Sequence, residues 1–118
     1  MAAPAGPNIV AFPGQRSPEQ VGFNRHELTR ILDLYGRMVA AGEWRDYAID
    51  HLKDRAVFSV FRRSSEIPLY RIEKNPKLAR KQGAFSVIAA SGMVLKRGHE
   101  LANVLKVFDK PLRVVTSN

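Results

Sequence analysis

The middle of the chain contains the stretch Arg55-Ala-Val-Phe-Ser-Val-Phe-Arg-Arg63, whose residues between the charged ends are nearly all apolar. Side chains of a strand alternate between its two faces, so Phe58 and Val60 share one face while Val57 and Phe61 share the other. A strand that is apolar on both faces is typical of the covered middle of a sheet. We therefore predict a central strand over residues 55–62.

Further strands are predicted on either side of this one, where runs rich in aromatic and β-branched residues recur. The connections between most of them are short, which favours antiparallel neighbours. A short helix interrupts the series between Asn75 and Gly83, because Asn75 is a good helix cap and Pro76 suits the first helical position. The predicted strands cover residues 44–52, 55–62, 68–73, 84–90, 93–97 and 112–115.

Two amphipathic helices are predicted around the strands. Asn24 and Glu27 have the spacing of a capping box, and six apolar residues then recur at helical spacing, which predicts a helix over 25–41. Leu101 opens a second apolar stripe of this kind, which predicts a helix over 99–108. The predicted fold class is therefore α+β, with an antiparallel sheet of five or six strands and the two amphipathic helices packed on one face.

The 118 residues have room for one domain, which we place at residues 23–116. Residues 1–22 are rich in Pro, Gly and Ala and show no periodic pattern, so we expect a flexible tail there. The sequence contains no cysteine, which excludes disulfides and thiolate catalysis. No apolar run approaches the roughly 20 residues that a membrane span needs. We therefore expect cytoplasmic localisation and no membrane span.

The sequence shows no arrangement of residues typical of a catalytic or metal site. The histidines His26, His51 and His99 lie far apart and match no metal-ligand spacing. Asp46 and Asp50 share a face of the first predicted strand, which permits a weak divalent cation site, although solvated carboxylates are commoner in such positions. Phosphate-binding glycine loops and a nucleophile elbow are also missing. We therefore predict a protein that is not an enzyme and that needs no cofactor or metal.

The positive charge of the chain is concentrated in its middle part. Between Lys53 and Arg97, eleven Lys and Arg residues face three acids, a surplus equal to the formal net charge of +8 of the whole chain. The densest run is Lys74-Asn-Pro-Lys-Leu-Ala-Arg-Lys81, where basic side chains surround the start of the predicted short helix, a geometry that suits phosphates. The predicted polyanion-binding residues are Arg62, Arg63, Arg71, Lys74, Lys77, Arg80 and Lys81.

Three interpretations of this basic surface stay open. In the first, the protein is a binding module that holds a polyanion, with nucleic acid as the first candidate. In the second, it is a protein–protein adaptor or the small subunit of a larger complex, and the same surface or the segment Ile9–Phe12 contacts an acidic partner protein. In the third, the surface is a solvated face whose lysine stems cover apolar groups. Aromatic residues that could stack on bases are scarce in the basic region, where Tyr70 is the one plausible exposed ring.

Several blocks of the sequence resemble a known family. They are Leu34-Tyr-Gly-Arg-Met-Val-Ala-Ala-Gly-Glu-Trp-Arg-Asp-Tyr-Ala-Ile-Asp50, Phe58-Ser-Val-Phe-Arg62, Tyr70-Arg-Ile-Glu-Lys-Asn-Pro-Lys-Leu78 and Leu95-Lys-Arg-Gly-His-Glu-Leu101. Together they are similar to a small, basic family found in alphaproteobacteria and catalogued as domain of unknown function 2794. The resemblance covers about residues 23–115 and implies a bacterial cytosolic protein. It implies no activity, catalytic residue or ligand.

Overall fold

The computed structural model describes residues 19–63 and 67–109. The predicted tail up to residue 18 and the predicted final strand at 112–115 lie outside the described residues. Within them, Val21 donates a backbone hydrogen bond of 2.8 Å to the carbonyl of Leu52. The side chain of Phe23 belongs to the hydrophobic core. Val21 and Phe23 therefore both contact the rest of the domain.

The described strands form one five-stranded antiparallel sheet, in which each strand pairs with the next one along the chain. This simple meander follows from the short connections, which leave no room for a crossover between strands. Together with two helices it confirms the predicted α+β class and the predicted antiparallel sheet of five or six strands, of which the described residues form five. The strands are β1 (Asp46–His51), β2 (Ala56–Phe61), β3 (Tyr70–Lys74), β4 (Phe85–Ala89) and β5 (Val94–Gly98).

Helix α1 (Arg25–Ala40) begins at the predicted capping box. The Glu27 amide donates to Asn24 Oδ1 and the Asn24 amide donates to Glu27 Oε1, each at 2.8 Å, so two N–H groups that the helix leaves free are satisfied. Helix α2 (Leu101–Leu105) is shorter than the predicted helix over 99–108. It starts after the extended residue Glu100 and tightens into a 3₁₀ turn over Lys106–Phe108.

The hydrophobic core contains residues from both helices and from one set of alternating strand positions. Phe58, Ile72 and Val87 stand in register across β2, β3 and β4, and their side chains are fully buried. Ile31 and Leu34 of α1 and Val104 of α2 belong to the same buried cluster. The placement of both helices on one face of the sheet stays a prediction.

Trp44 packs against Tyr35 of α1 and against Phe108 of the 3₁₀ turn that follows α2. Its side chain is 2% exposed, although the residue lies just outside the sheet, two positions before β1. Its ring meets Phe108 edge-on at 5.2 Å between centroids and lies 6.2 Å from Tyr35 of α1. Aromatic pairs in such geometries add stabilisation beyond the area that they bury. Trp44 therefore connects elements that are distant in the sequence.

Strand β2 is buried on both faces, as its sequence predicts. Its residues from Ala56 to Val60 are all buried, and Val57 and Ser59 point away from the face that carries Phe58. Ile88 of β4 is 7% exposed on that second face and, like Val57, lies outside the main core cluster. The prediction of a strand covered on both faces is therefore confirmed, but β2 is the second of the five described strands and β3 is the central one.

Candidate functional site

The predicted polyanion-binding residues are divided between the two ends of the sheet. Ala56 of β2 pairs with Lys74 of β3, and Val60 pairs with Tyr70. Arg62 and Arg63 therefore follow the end of β2 that is remote from Lys74. Arg62 lies six residues beyond Ala56, which is about 20 Å at about 3.3 Å a residue, so one small contact patch does not include both groups.

The arginines at the first end differ in their partners. Arg62 forms an exposed ion pair with Glu43, with 3.7 Å between Nη2 and Oε1. Exposed pairs of this kind contribute little to stability, because water screens both charges. Arg63 is exposed and forms no ion pair with the described residues.

Arg71 is occupied by an acid on its own strand. It points away from the core face, because its neighbour Ile72 points into the core, and Glu73 shares its face. Arg71 Nε donates to Glu73 Oε2 at 3.1 Å, while Arg55 Nε lies 3.5 Å from Glu73 Oε1. A single carboxylate thus partly neutralises two guanidinium groups, which reduces the attraction of this face for an anion.

Lys74 of β3 forms hydrogen bonds to two residues at or just before the beginning of α1. Its Nζ donates to Glu27 Oε1 at 2.8 Å and to the carbonyl oxygen of Gly22 at 3.0 Å. The side chains of Lys74 and Glu27 are only 19% and 15% exposed. Because the ammonium group is engaged with a carboxylate and a carbonyl, Lys74 is a structural residue in this arrangement.

The remaining cations lie on an ordered turn between β3 and β4. The predicted short helix is a 3₁₀ turn of three residues, Pro76–Leu78, in which Asn75 Oδ1 accepts from the Lys77 amide at 3.1 Å. The carbonyl of Leu78 then accepts from the amides of residues 81, 82 and 83 at 2.9 to 3.1 Å, which closes the segment tightly. The turn carries three exposed cations, Lys77, Arg80 and Lys81. We call the segment that carries these three residues the basic turn.

The end of this turn is packed against β5. Gly83 has a φ of +102°, and a Cβ atom built on it would lie 2.2 Å from the carbonyl carbon of Gly98. A glycine is therefore required at 83 both by its backbone conformation and by the close approach. Arg97 Nη1 donates to Gln82 Oε1 beside this contact, which brings Arg97 next to the basic turn.

Tyr70 is not a free stacking platform for a nucleic-acid base. Its ring lies 5.1 Å from that of Phe108 and 6.4 Å from that of Trp44, and it is partly buried against the core. Burial is the main cause that raises the pKa of its hydroxyl, and the charge of Glu43 raises it further. The sequence alone did not reveal this burial, because the contacts of Tyr70 come from distant segments.

The described residues contain no cluster of metal-ligating side chains. Among residues 19–63 and 67–109, no group of three or more His, Asp and Glu side chains is close enough to hold one. The same part of the chain contains no helix that is long and apolar enough to cross a membrane.

A family model described as a protein of unknown function, DUF2794, matches residues 21–105 of the chain. Comparisons with curated proteins and with solved structures found no significant match.

Proposed function

Since the chain belongs to the DUF2794 family, whose description assigns no activity, we propose a function from the surface of this protein: it is a non-enzymatic module that binds nucleic acid through the basic turn. Lys77, Arg80 and Lys81 would contact phosphate oxygens, and Arg97 and Lys96 of the neighbouring strand would extend the positive surface. Such phosphate contacts position a protein on nucleic acid without reading the base sequence. The lack of cysteine in the sequence fits a cytoplasmic protein of this kind.

One observation carries the proposal. The three cations of the basic turn are exposed and form no ion pair with the described residues. In addition, the sequence from Lys74 to Arg97 contains six basic residues and no acid, so no carboxylate of this segment competes with a bound phosphate. The hydrogen bonds of the turn hold its backbone in place before binding, which lowers the entropy cost of association.

The other predicted residues have lesser roles in the proposal. Lys74 and Arg71 already bind carboxylates at 2.8 and 3.1 Å, so a phosphate would have to displace these partners. Arg62 and Arg63 lie at the far end of the sheet and would act through the general positive field. The proposed contact residues are therefore Lys77, Arg80 and Lys81.

The salt dependence of binding tests the proposal. Each phosphate contact to duplex DNA contributes about −0.9 to the slope of log K against log salt concentration. Replacing Lys77, Arg80 and Lys81 together by Gln should therefore weaken binding to a short labelled duplex and flatten the slope by about two to three units. The free energy of unfolding should change by less than about 0.5 kcal/mol, because all three side chains are exposed.

A matched control removes the same charge elsewhere. Arg25, Arg45 and Lys53 are also exposed and also lack an ion pair with the described residues, and their replacement by Gln lowers the net charge equally. The proposal requires a clearly smaller loss of affinity in this control. Equal losses in the two variants would mean that net charge alone attracts the DNA, and absence of binding at low salt would exclude the proposed function.

A further inference from the structure

A groove of about 210 Å³ lies between the two helices, on a surface that shares no residue with the basic turn. Helix α1 contributes Arg30, Leu34 and Arg37 to its wall, and the segment of α2 and its 3₁₀ turn contributes Ala102, Leu105 and Lys106. Leu34 is 2% exposed and Leu105 is 7% exposed, so the floor is apolar and continuous with the core.

The rim of this groove is positive. The side chains of Arg30, Arg37 and Lys106 are exposed, and none of them forms an ion pair with the described residues. One acidic residue, Asp109, also lines the groove. An apolar floor beneath cations without partners complements a ligand that has both an apolar group and negative charges.

The spacing of the arginines matches that of acidic residues on one face of a second helix. Arg30 and Arg37 are seven residues apart on α1, so their Cα atoms are separated by about 10.5 Å along the helix axis. Two carboxylates two helical turns apart on a second helix have the same axial separation, so each arginine can face a carboxylate of its own. The volume is also below the roughly 300–1,000 Å³ of sites that enclose a small molecule, and is closer to the size of one anchoring side chain with its neighbours.

We propose that this groove binds an acidic amphipathic helix of a partner protein. Two acidic residues at i and i+7 of that helix would lie beside Arg30 and Arg37, and an apolar residue between them would rest on Leu34 and Leu105. The carboxylate of Asp109 would repel a further acid, so it favours one orientation of the helix along the groove. This inference concerns a site and a partner class different from those of the proposed nucleic-acid contact, and it does not depend on that contact.

A designed peptide provides the probe. We would label an alanine-based peptide of about 14 residues, close to the minimum length for an isolated helix, with Glu at i and i+7 and Leu at i+3 and i+4. Fluorescence anisotropy at low salt should show binding, and a peptide with Gln in place of both Glu should bind about tenfold more weakly. Amide NMR shifts in the wild-type complex should be concentrated at Leu34, Ala102 and Leu105.

Two kinds of variant distinguish the groove from the general charge of the protein. The double charge reversal Arg30→Glu with Arg37→Glu should lower the affinity for the peptide by about tenfold or more, whereas Lys77→Glu with Lys81→Glu, which changes the net charge equally, should have little effect. Ala102→Met would fill the groove without changing charge and should also weaken binding.

The outcomes separate clearly. Equal losses in the two charge-reversed variants, or NMR shifts that avoid the groove, would overturn the proposal. So would an absence of peptide binding at millimolar protein concentration and low salt. The two charge reversals affect exposed residues, so they remain informative even if the larger side chain at position 102 disturbs folding.

Discussion

The contact of Lys74 with the beginning of α1 predicts a large loss of stability when the lysine is replaced by Met. The substitution keeps most of the aliphatic stem but removes the hydrogen bonds of 2.8 Å to Glu27 and 3.0 Å to the Gly22 carbonyl. Hydrogen bonds that involve a charged group each contribute about 1.5–3 kcal/mol, and the loss leaves Glu27 charged with its side chain mostly buried. Since Glu27 keeps its bond to the Asn24 amide and some access to water, we expect a cost of about 2 kcal/mol.

The measurement is urea denaturation followed by the fluorescence of Trp44. This residue is the single tryptophan of the chain and is 2% exposed, so its emission reports the loss of the core. A change of about 2 kcal/mol corresponds to a fall of roughly 10 °C in Tm for a domain of this size. A double-mutant cycle with Glu27→Gln should give a coupling energy of about 1–2 kcal/mol between the two side chains.

Two results would refute this reasoning. A change of less than about 0.5 kcal/mol for Lys74→Met would place the residue among ordinary surface positions. Additive effects of Lys74→Met and Glu27→Gln would mean that the two side chains do not interact in solution. The same variant should leave the salt slope of DNA binding unchanged, because Lys74 is not among the proposed contacts.

Two glycines predict opposite effects of an added methyl group. Gly83→Ala should destabilise the protein by about 3 kcal/mol or more, because φ is +102° and the new Cβ would lie 2.2 Å from the Gly98 carbonyl carbon. Urea denaturation measures the effect. A decrease of less than about 1 kcal/mol in the free energy of unfolding would contradict this close approach. Gly36→Ala should stabilise the protein by about 0.5–1 kcal/mol, because the glycine lies inside α1 and a Cβ there would meet nothing within 4 Å. Thermal unfolding followed by circular dichroism should show a raised Tm for this variant, and a lowered Tm would mean that position 36 is packed against another part of the protein.

Most of the fold could be predicted from the sequence because its signals are local. The capping box of α1 joins residues three positions apart, and the apolar run of β2 shows burial on both faces without reference to another segment. The extent of the second helix could not be predicted in the same way. Its apolar spacing continues through Phe108, but the backbone tightens into a 3₁₀ turn after Leu105, and the spacing does not distinguish the two conformations.

The location of the basic segment could also be predicted, but not which of its basic residues have partners among the described residues and which have none. Lys74 finds its partners 47 and 52 residues away, so no local pattern distinguishes it from Lys77. The pairing of Arg71 with Glu73 did have a signal, since residues two apart on a strand share a face. The groove between the helices required the tertiary structure, because the sequence presents Arg30 and Arg37 only as part of a polar helix surface.

The order of strands in the sheet and the distant anchor of α1 have a consequence for synthesis on the ribosome. Each strand pairs with its neighbour in the chain, so the sheet can form stepwise as the polypeptide emerges. Helix α1 emerges before the sheet, and Lys74 is synthesised 47 residues after its partner Glu27. At about 5–20 residues a second, the beginning of α1 therefore emerges about 2–9 seconds before this anchor is synthesised, an interval in which a nascent chain is open to chaperones.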